Sequence, residues 1–400
     1  LILSNNSEPI LLTVPEGGIP QVTHHDLAKE LAELAKSTGP FAVDTERASG
    51  IRYSDRAYLV QIKRFDSKII LLDPVGIEDQ LFPLAKLMDE EWILHDAAQD
   101  LPSLAELGLF PKRIFDTQMA ALLLGFEKVS LKAVIAHLLG YELAKEHSNS
   151  DWSMRPIPAQ MRAYAALDVA LLHDLRNELS QMLHDAKRDT WFLQECEAIR
   201  TSKPPAPKQQ PWRKIANRIE IKDRRALAML KNLWQMRDEL ACARDIAPSK
   251  LIRSEILGEI ARRKPRSLGE ITHSTLLRRG SLREFAPNIW QAIAAAWKIK
   301  TEDLPERNYV SQHQPFPHLS TWATKNPPAA ARYSALRTNI FQLAADLGIR
   351  QDILLKPKVQ KSIAWSGWAS ATDLSEKLSD LGARPWQIEQ CAQAILAAAK

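Results

Sequence analysis

Two carboxylates break an otherwise apolar run, Phe41-Ala42-Val43-Asp44-Thr45-Glu46. Side chains of a strand alternate between its faces, so Asp44 and Glu46 point to the same side. Like charges that close repel unless a cation lies between them, and hard carboxylate oxygens suit Mg²⁺ or Mn²⁺. Alone, the pair also fits a solvated strand end, and its weight depends on carboxylates further along. Two follow. Asp100 closes His95-Asp96-Ala97-Ala98-Gln99-Asp100, and Asp168 lies four residues after Tyr164 on one helix face. Alone, that second pair fits an interfacial aromatic and a solvated charge.

The elements around these residues have the right character to bring them together. Apolar spacing at Leu27, Leu31 and Leu34 predicts a helix opened by residues 25 and 26 and ended by Gly39-Pro40. The runs 41–46, 57–62 and 68–73 predict strands whose short joints imply an antiparallel meander. A helix follows through Leu81, Leu84 and Leu87, and then Trp92-Ile93-Leu94-His95 reads as a buried strand. Strand, helix, strand is the parallel crossover, so the sheet is mixed. Asp100 then begins a helix just past a strand's carboxyl end, where open α/β sheets place ligands. A short fifth strand over 113–117 precedes helix through Leu139. Met161 to Leu172 is the amphipathic helix that carries Tyr164 and Asp168.

At 400 residues, with 45% hydrophobic and 25% charged, the chain is ordinary globular material with room for several cores. Its three cysteines are widely spaced, which signals neither a zinc site nor a disulfide framework. That favours a reducing compartment and a cytoplasmic location. No apolar run reaches the length of a membrane span, so no membrane partner is expected. Charge divides sharply: residues 1–200 carry 20 Lys+Arg against 30 Asp+Glu, whereas residues 201–400 carry 33 against 18. A basic half suits a polyanion and an acidic half suits a metal.

The Pro-rich basic stretch Thr201 to Lys208 reads as a semi-rigid linker, and beyond it only helices are predicted. The organisation expected is an α/β mixed-sheet domain (1–200), a linker (201–211), an all-α domain (212–300), a connecting segment (301–328) and a second all-α domain (329–400). The helical pieces resemble each other: Leu240–Ala261 laid over Leu343–Ala364 gives six identities in 22 positions, as a duplication would.

In order, these motifs resemble the DEDD superfamily of 3′→5′ exonucleases, tyrosine subtype. Residues 41–46 resemble its first motif, 95–101 its second and Tyr164-x-x-x-Asp168 its third. Asp151-Trp152-x-x-Arg155-Pro156 and two helical repeats similar to HRDC domains narrow the resemblance to the ribonuclease D family. It implies a ribonuclease-H-like sheet and two divalent cations about 4 Å apart that activate water and stabilise the leaving 3′-oxygen. The implied partner is RNA with a free 3′ end, such as precursors of tRNA or other stable RNAs, trimmed to nucleoside 5′-monophosphates. It further implies that Asp44 bridges both ions, that Glu46 and Asp168 serve one and Asp100 the other, and that Tyr164 orients or deprotonates the attacking water. Asp96, one turn before Asp100, is the competing position in the second motif, and Asp116 is expected to be a structural cap.

Trp152 and Arg155 fit substrate or lid contacts, or a packed Trp with an Arg over it. Arg213, Lys214, Arg218, Lys222, Arg224 and Arg225, with Arg262, Arg263, Lys264 and Arg266, are expected to hold RNA phosphates, unless they solvate helices or the repeats bind protein. On that basis a chain cut after Ile199 is expected to remain a folded nuclease. The alternatives to an exoribonuclease are a non-catalytic RNA-binding scaffold on a degenerate nuclease fold and a DNA 3′→5′ exonuclease.

Overall fold

The computed structural model describes all residues except 1–8, 25–26, 145–146, 148–149, 205, 276–282, 308–315 and 399–400. After β1 (Ile10–Leu12), β2 (Val22–Thr23) and α1 (Leu27–Lys36) comes β3 (Phe41–Arg47), the strand on which the site is built. Residues 25 and 26, expected to open α1, lie outside the described residues. The sheet continues with β4 (Ala57–Arg64) and β5 (Ile70–Leu72), then α2 (Phe82–Leu87), β6 (Glu91–Leu94), α3 (Ala97–Glu106) and β7 (Arg113–Asp116). The remaining elements of this half are α4 (Thr117–Leu123), α5 (Leu131–Leu139), β8 (Tyr141–Leu143), α6 (Ala159–Ala170), α7 (Leu172–Asp185) and α8 (Asp189–Arg200).

Six strands form one mixed sheet in the order β2-β5-β4-β3-β6-β7. The meander is present: β3 is antiparallel to β4 and β4 to β5, while β6 lies parallel to β3 and β7 parallel to β6. Phe41, Ala42 and Val43 are fully buried, as a central strand covered on both faces requires. Two features were not expected. β2 adds an edge to the sheet, and β1 pairs with β8 in a separate parallel ribbon. β2 and β8, of two and three residues, are too short to show a period of two. The helical stretch after β7 is also broken at Gly125, whose φ is +81°.

The helical half holds α9 (Arg213–Arg218), α10 (Arg224–Arg244), α11 (Pro248–Leu251), α12 (Ser254–Arg263), α13 (Leu268–Thr272) and α14 (Ala286–Lys298). A second set follows: α15 (Trp322–Lys325), α16 (Pro327–Leu347), α17 (Gln351–Leu354), α18 (Pro357–Ser366), α19 (Ala371–Asp380) and α20 (Pro385–Ala397). Every bound of α10, α11 and α12 reappears in α16, α17 and α18 displaced by the same 103 residues. Each long helix ends in a left-handed residue, Asp245 at φ 46° and Gly348 at φ 62°.

The two sets attach to the sheet domain differently. The first has its own core, built on Trp212, Leu227, Leu230 and Ile289. It docks through the turn after α10, where the Asp245 carboxylate accepts from Tyr53 N, Ser54 N, Ser54 Oγ and Tyr58 Oη at 3.1–3.2 Å. Ala247 N also donates to Ile51 O at 2.9 Å. The second shares one continuous core with the nuclease-like half, from Leu123 and Phe192 to Leu336, Ile340 and Trp386. The expectation that a chain cut after Ile199 folds independently is therefore corrected: the cut would split a core.

Candidate active site

Register explains how the carboxylates meet. Glu46 pairs with Leu59 of β4, and Leu59 packs in a small core with Met161, Ala165 and Ala166 of α6. α6 therefore lies over the face that bears Asp44 and Glu46, and its buried alanines let it approach closely. One oxygen from each of Asp44, Glu46 and Asp168 lies within 4.8 Å of the others, a potential metal cluster found among the described residues.

Asp100 arrives from the other face. β3 and β6 pair only at Phe41/Trp92 and Ala42/Ile93, so Asp44 and Glu46 run past the end of β6. There α3 begins, and Thr45, opposite in facing to Asp44, donates its hydroxyl to Asp100 Oδ1 at 2.9 Å. Four carboxylates thus collect at one free strand edge. Asp44, Glu46 and Asp168 line a cleft of about 370 Å³ to which Arg47, Ser49, His95, Gln99, Leu131 and Tyr164 also contribute, and Asp100 lies behind Thr45 of the same lining.

Electrostatics records the conflict. Asp44 keeps some accessible area in the cleft yet is surrounded by protein, and burial first, then Asp168, push its carboxyl well above the usual range. Glu46 is raised by burial and by Asp44, Asp168 and Asp100; Asp100 is raised by burial and by Asp44. Such a set is hard, acidic and under-compensated, which is the donor chemistry that Mg²⁺ or Mn²⁺ neutralises.

The Tyr164 phenol is pushed far up by burial and by Asp168, Glu46 and Asp44, and it is hydrogen-bonded to Asp168. It stays protonated at neutral pH. Of the two roles implied for it, orientation of the water acts through the neutral hydroxyl. Tyr164→Phe is expected to slow turnover on the order of 10²-fold while leaving nucleic-acid affinity unchanged. Single-turnover rates and equilibrium binding check this, and full activity would return Tyr164 to packing.

The competing Asp96 is the left-handed residue before α3, with φ 62°, and its carboxylate accepts from Gln99 Nε2. Asp116 accepts from the backbone N–H groups of Asp96, Ala97, Gln118 and Met119 at 2.9–3.2 Å, and so caps both α3 and α4. Burial, against these four hydrogen bonds, still raises its carboxyl to about 6.

Several residues expected to touch nucleic acid are committed elsewhere. Trp152 is fully buried beside Tyr164, with ring centroids 6.2 Å apart. Arg155 spends its donors on Asp73 Oδ1 and Oδ2, Tyr58 O, Trp152 O and Met154 O. These contacts fix the 151–156 loop behind Tyr164, which favours the packed Trp and Arg of the two arrangements left open by the sequence. Arg224 and Arg225 are also tied to backbone: Arg224 donates to the carbonyls of Glu302, Leu304 and Pro305, and Arg225 to those of Ala296, Trp297 and Ile299. They hold the carboxyl end of α14 and the turn after it. Arg218 pairs with Glu255 at 2.6 Å, and Arg213 donates to Gln210 and lies over the Trp212 ring. In the second basic group, Arg262 and Arg263 pair with Glu259, Lys264 pairs with Asp223 and Arg266 lies over the Trp297 ring. Lys214 and Lys222 remain on the exposed surface.

Three family models match separate parts of the chain. Residues 19–184 match "3'-5' exonuclease", residues 226–293 "HRDC domain" and residues 315–399 "3' to 5' exonuclease C-terminal domain". Among curated relatives, the ribonuclease D of Bartonella henselae is 30% identical over 252 residues, a match spanning 62% of this chain and 61% of that protein. The ribonuclease D of Cronobacter turicensis is 28% identical over 362 residues, covering 87% and 95%. A solved structure of a protein from Bifidobacterium adolescentis superimposes with a TM-score of 0.88 at 33% identity, covering 98% of this chain and all of that one. The Escherichia coli RNase D structure, at 23% identity and a TM-score of 0.67 over 95% of this chain, shares the fold. Motif order, converging carboxylates and these matches agree: the chain is a 3′→5′ exonuclease of the DEDD superfamily with an HRDC domain, homologous at moderate identity to the ribonuclease D proteins.

Proposed function

We propose that the protein trims RNA from its 3′ end by hydrolysis supported by two divalent cations, Mg²⁺ or Mn²⁺, and releases nucleoside 5′-monophosphates. The observation that carries this is the meeting of Asp44, Glu46 and Asp168 within 4.8 Å, with Asp100 across the same strand edge. Asp44, Glu46 and Asp168 would hold one cation, and Asp44 with Asp100 the other. Bound there, the cations supply a nucleophilic water near neutral pH and charge compensation for the leaving oxygen.

The chain's own groups do the rest. Tyr164, kept neutral and anchored on Asp168, presents a hydroxyl that aligns the attacking water. Thr45 holds Asp100 from behind. RNA as substrate rests on the ribonuclease D relatives, and tRNA or other stable RNA precursors are the substrates that likeness suggests. The exposed Lys214 and Lys222 support a contribution of the helical half to phosphate binding, weaker than charge counting alone implies.

The test is incubation with 3′-labelled RNA and sequence-matched DNA, with Mn²⁺ and with chelator. A metal-dependent ladder of RNA products shortened one nucleotide at a time is expected, with DNA trimmed more slowly. RNA bound but never shortened would leave a scaffold protein in its place, and faster trimming of DNA would make it a DNA exonuclease.

A further inference from the structure

Among the residues lining the catalytic cleft there is one permanent cation, Arg47. Strand alternation places it on the face away from Glu46. That is the face of Thr45, where Asp100 lies, and regular pairing with β4 ends there, since Glu46 pairs with Leu59 but Arg47 with Ala57. The guanidinium thus stands on the rim of the carboxylate cluster.

The way Arg47 is held differs from the other arginines described. Arg155, Arg224 and Arg225 are anchored by several hydrogen bonds each. Arg47 Nη2 lies 4.0 Å from Asp100 Oδ1, too far for a hydrogen bond, and its side chain is 26% exposed. No hydrogen bond from its guanidinium to another described residue is present. Its charge faces Asp100, and the same charge lowers the proton affinity of Asp44, Glu46 and Asp100. It stands at the carboxylate that would serve one of the cations.

We propose that Arg47 is a substrate-binding residue with two positions. It is the counter-cation of Asp100 while the carboxylates carry no divalent ion, and it turns to the phosphate of the 3′-terminal nucleotide when they do. This rests on the reading of the site as a metal-dependent exoribonuclease. Once Asp100 is neutralised by a divalent ion, the guanidinium faces a repelling charge where it had an attracting one. No hydrogen bond holds it back. The nearest anion is then the phosphate diester in the cleft, whose oxygens match a planar two-donor fork. Those oxygens gain charge as the bond to the leaving 3′-oxygen breaks, so the contact strengthens toward the transition state.

The two positions have opposite consequences, which makes them separable. Arg47→Ala removes a competitor for Asp100, so Mn²⁺ should bind the RNA-free protein 3–10-fold more tightly by calorimetry, an estimate on the order of a lost neighbouring unit charge. The same variant should cleave 3′-labelled RNA roughly 10- to 100-fold more slowly in single turnover at saturating Mn²⁺. Arg47→Lys keeps the charge and loses the fork, so its Mn²⁺ affinity should stay near wild type while cleavage stays slow. A methylphosphonate at the terminal linkage removes the phosphate charge and should bind wild type and Arg47→Ala equally in Mn²⁺. Unchanged or weaker Mn²⁺ binding by Arg47→Ala, or cleavage at the wild-type rate by both variants, overturns the proposal. Wild-type protein that fails to shorten RNA in Mn²⁺ overturns the exoribonuclease reading instead, so the two failures are distinguishable.

Discussion

Asp44→Asn is expected to abolish metal-dependent trimming, by about 10³-fold or more, and at the same time to stabilise the metal-free protein at pH 8. The first effect follows from losing the carboxylate assigned to both cations, which together supply several kcal/mol of charge stabilisation. The second follows from the direction of the carboxyl shifts. Asp44, Glu46 and Asp100 titrate above their unfolded values because burial and mutual repulsion disfavour the charged forms. A raised folded value means stability that is complete below the unfolded value near pH 4 and lost as pH rises through the folded one. The asparagine variant escapes that loss. Its melting temperature should exceed that of wild type in chelator at pH 8, by roughly 2–4 °C per kcal/mol relieved, and the gap should shrink toward pH 5. Mn²⁺ should raise the wild-type melting temperature more than the variant's. Asp100→Asn should behave similarly, whereas Asp96→Ala, whose carboxylate is occupied by Gln99, should retain most activity. Dead Asp96→Ala beside active Asp100→Ala would reverse the assignment of the second motif.

Trp386→Ala is expected to destabilise the exonuclease half although the residue lies in the last helix, α20. Trp386 stacks on Trp191 of α8 at 4.5 Å and 17°, and its indole Nε1 donates to Glu195 Oε1 at 2.9 Å. Glu195 is 2% exposed and is otherwise held by Arg384. Truncating a buried Trp costs about 3–5 kcal/mol, and here a buried carboxylate also loses a donor. Thermal unfolding followed by Mn²⁺-dependent RNA trimming should show both falling together. Removal of everything after Ile199 exposes the same face of α8 and should yield aggregating protein. A Trp386→Ala variant that melts like wild type, or a soluble and active 1–199 fragment, would show that the shared core is dispensable.

The parts of the site that the sequence revealed are those governed by short-range geometry. Alternation put Asp44 and Glu46 on one face, and a four-residue interval put Tyr164 and Asp168 on one helical stripe; both relations persist because nothing distant can alter them. Strand runs were legible for the same reason, β1 within a strand-like lead-in over 1–20 and β5 within the run 68–73, whereas β2 and β8 were too short to be. Arg47 escaped because alternation puts it on the Thr45 face, and only the distant Asp100 shows that this face borders the site. Trp152 and Arg155 were visible as a motif but ambiguous in role, since only the partners Asp73 and Tyr58, far away in sequence, show that the motif is spent on packing. The shared core of the second helical set was illegible on the same grounds: apolar stripes declare that a helix is covered, not by what.

The displacement of 103 residues that relates the helical sets also relates their points of attachment. Asp245 and Gly348 occupy the same place in the copied unit, and each touches the nuclease half. Asp245 gathers N–H and O–H donors, whereas at Gly348 a Cβ on the facing Gly125 would lie 2.0 Å from the Gly348 carbonyl oxygen. A duplication that carries its docking corner along provides two anchorages without a new surface having to arise. What then differs at this corner is how each copy is held: at Asp245 a carboxylate makes a joint of polar ties that water can replace, whereas the Gly348 carbonyl meets Gly125 so closely that Gly125 has no room for a side chain, and the second copy becomes part of the enzyme's body.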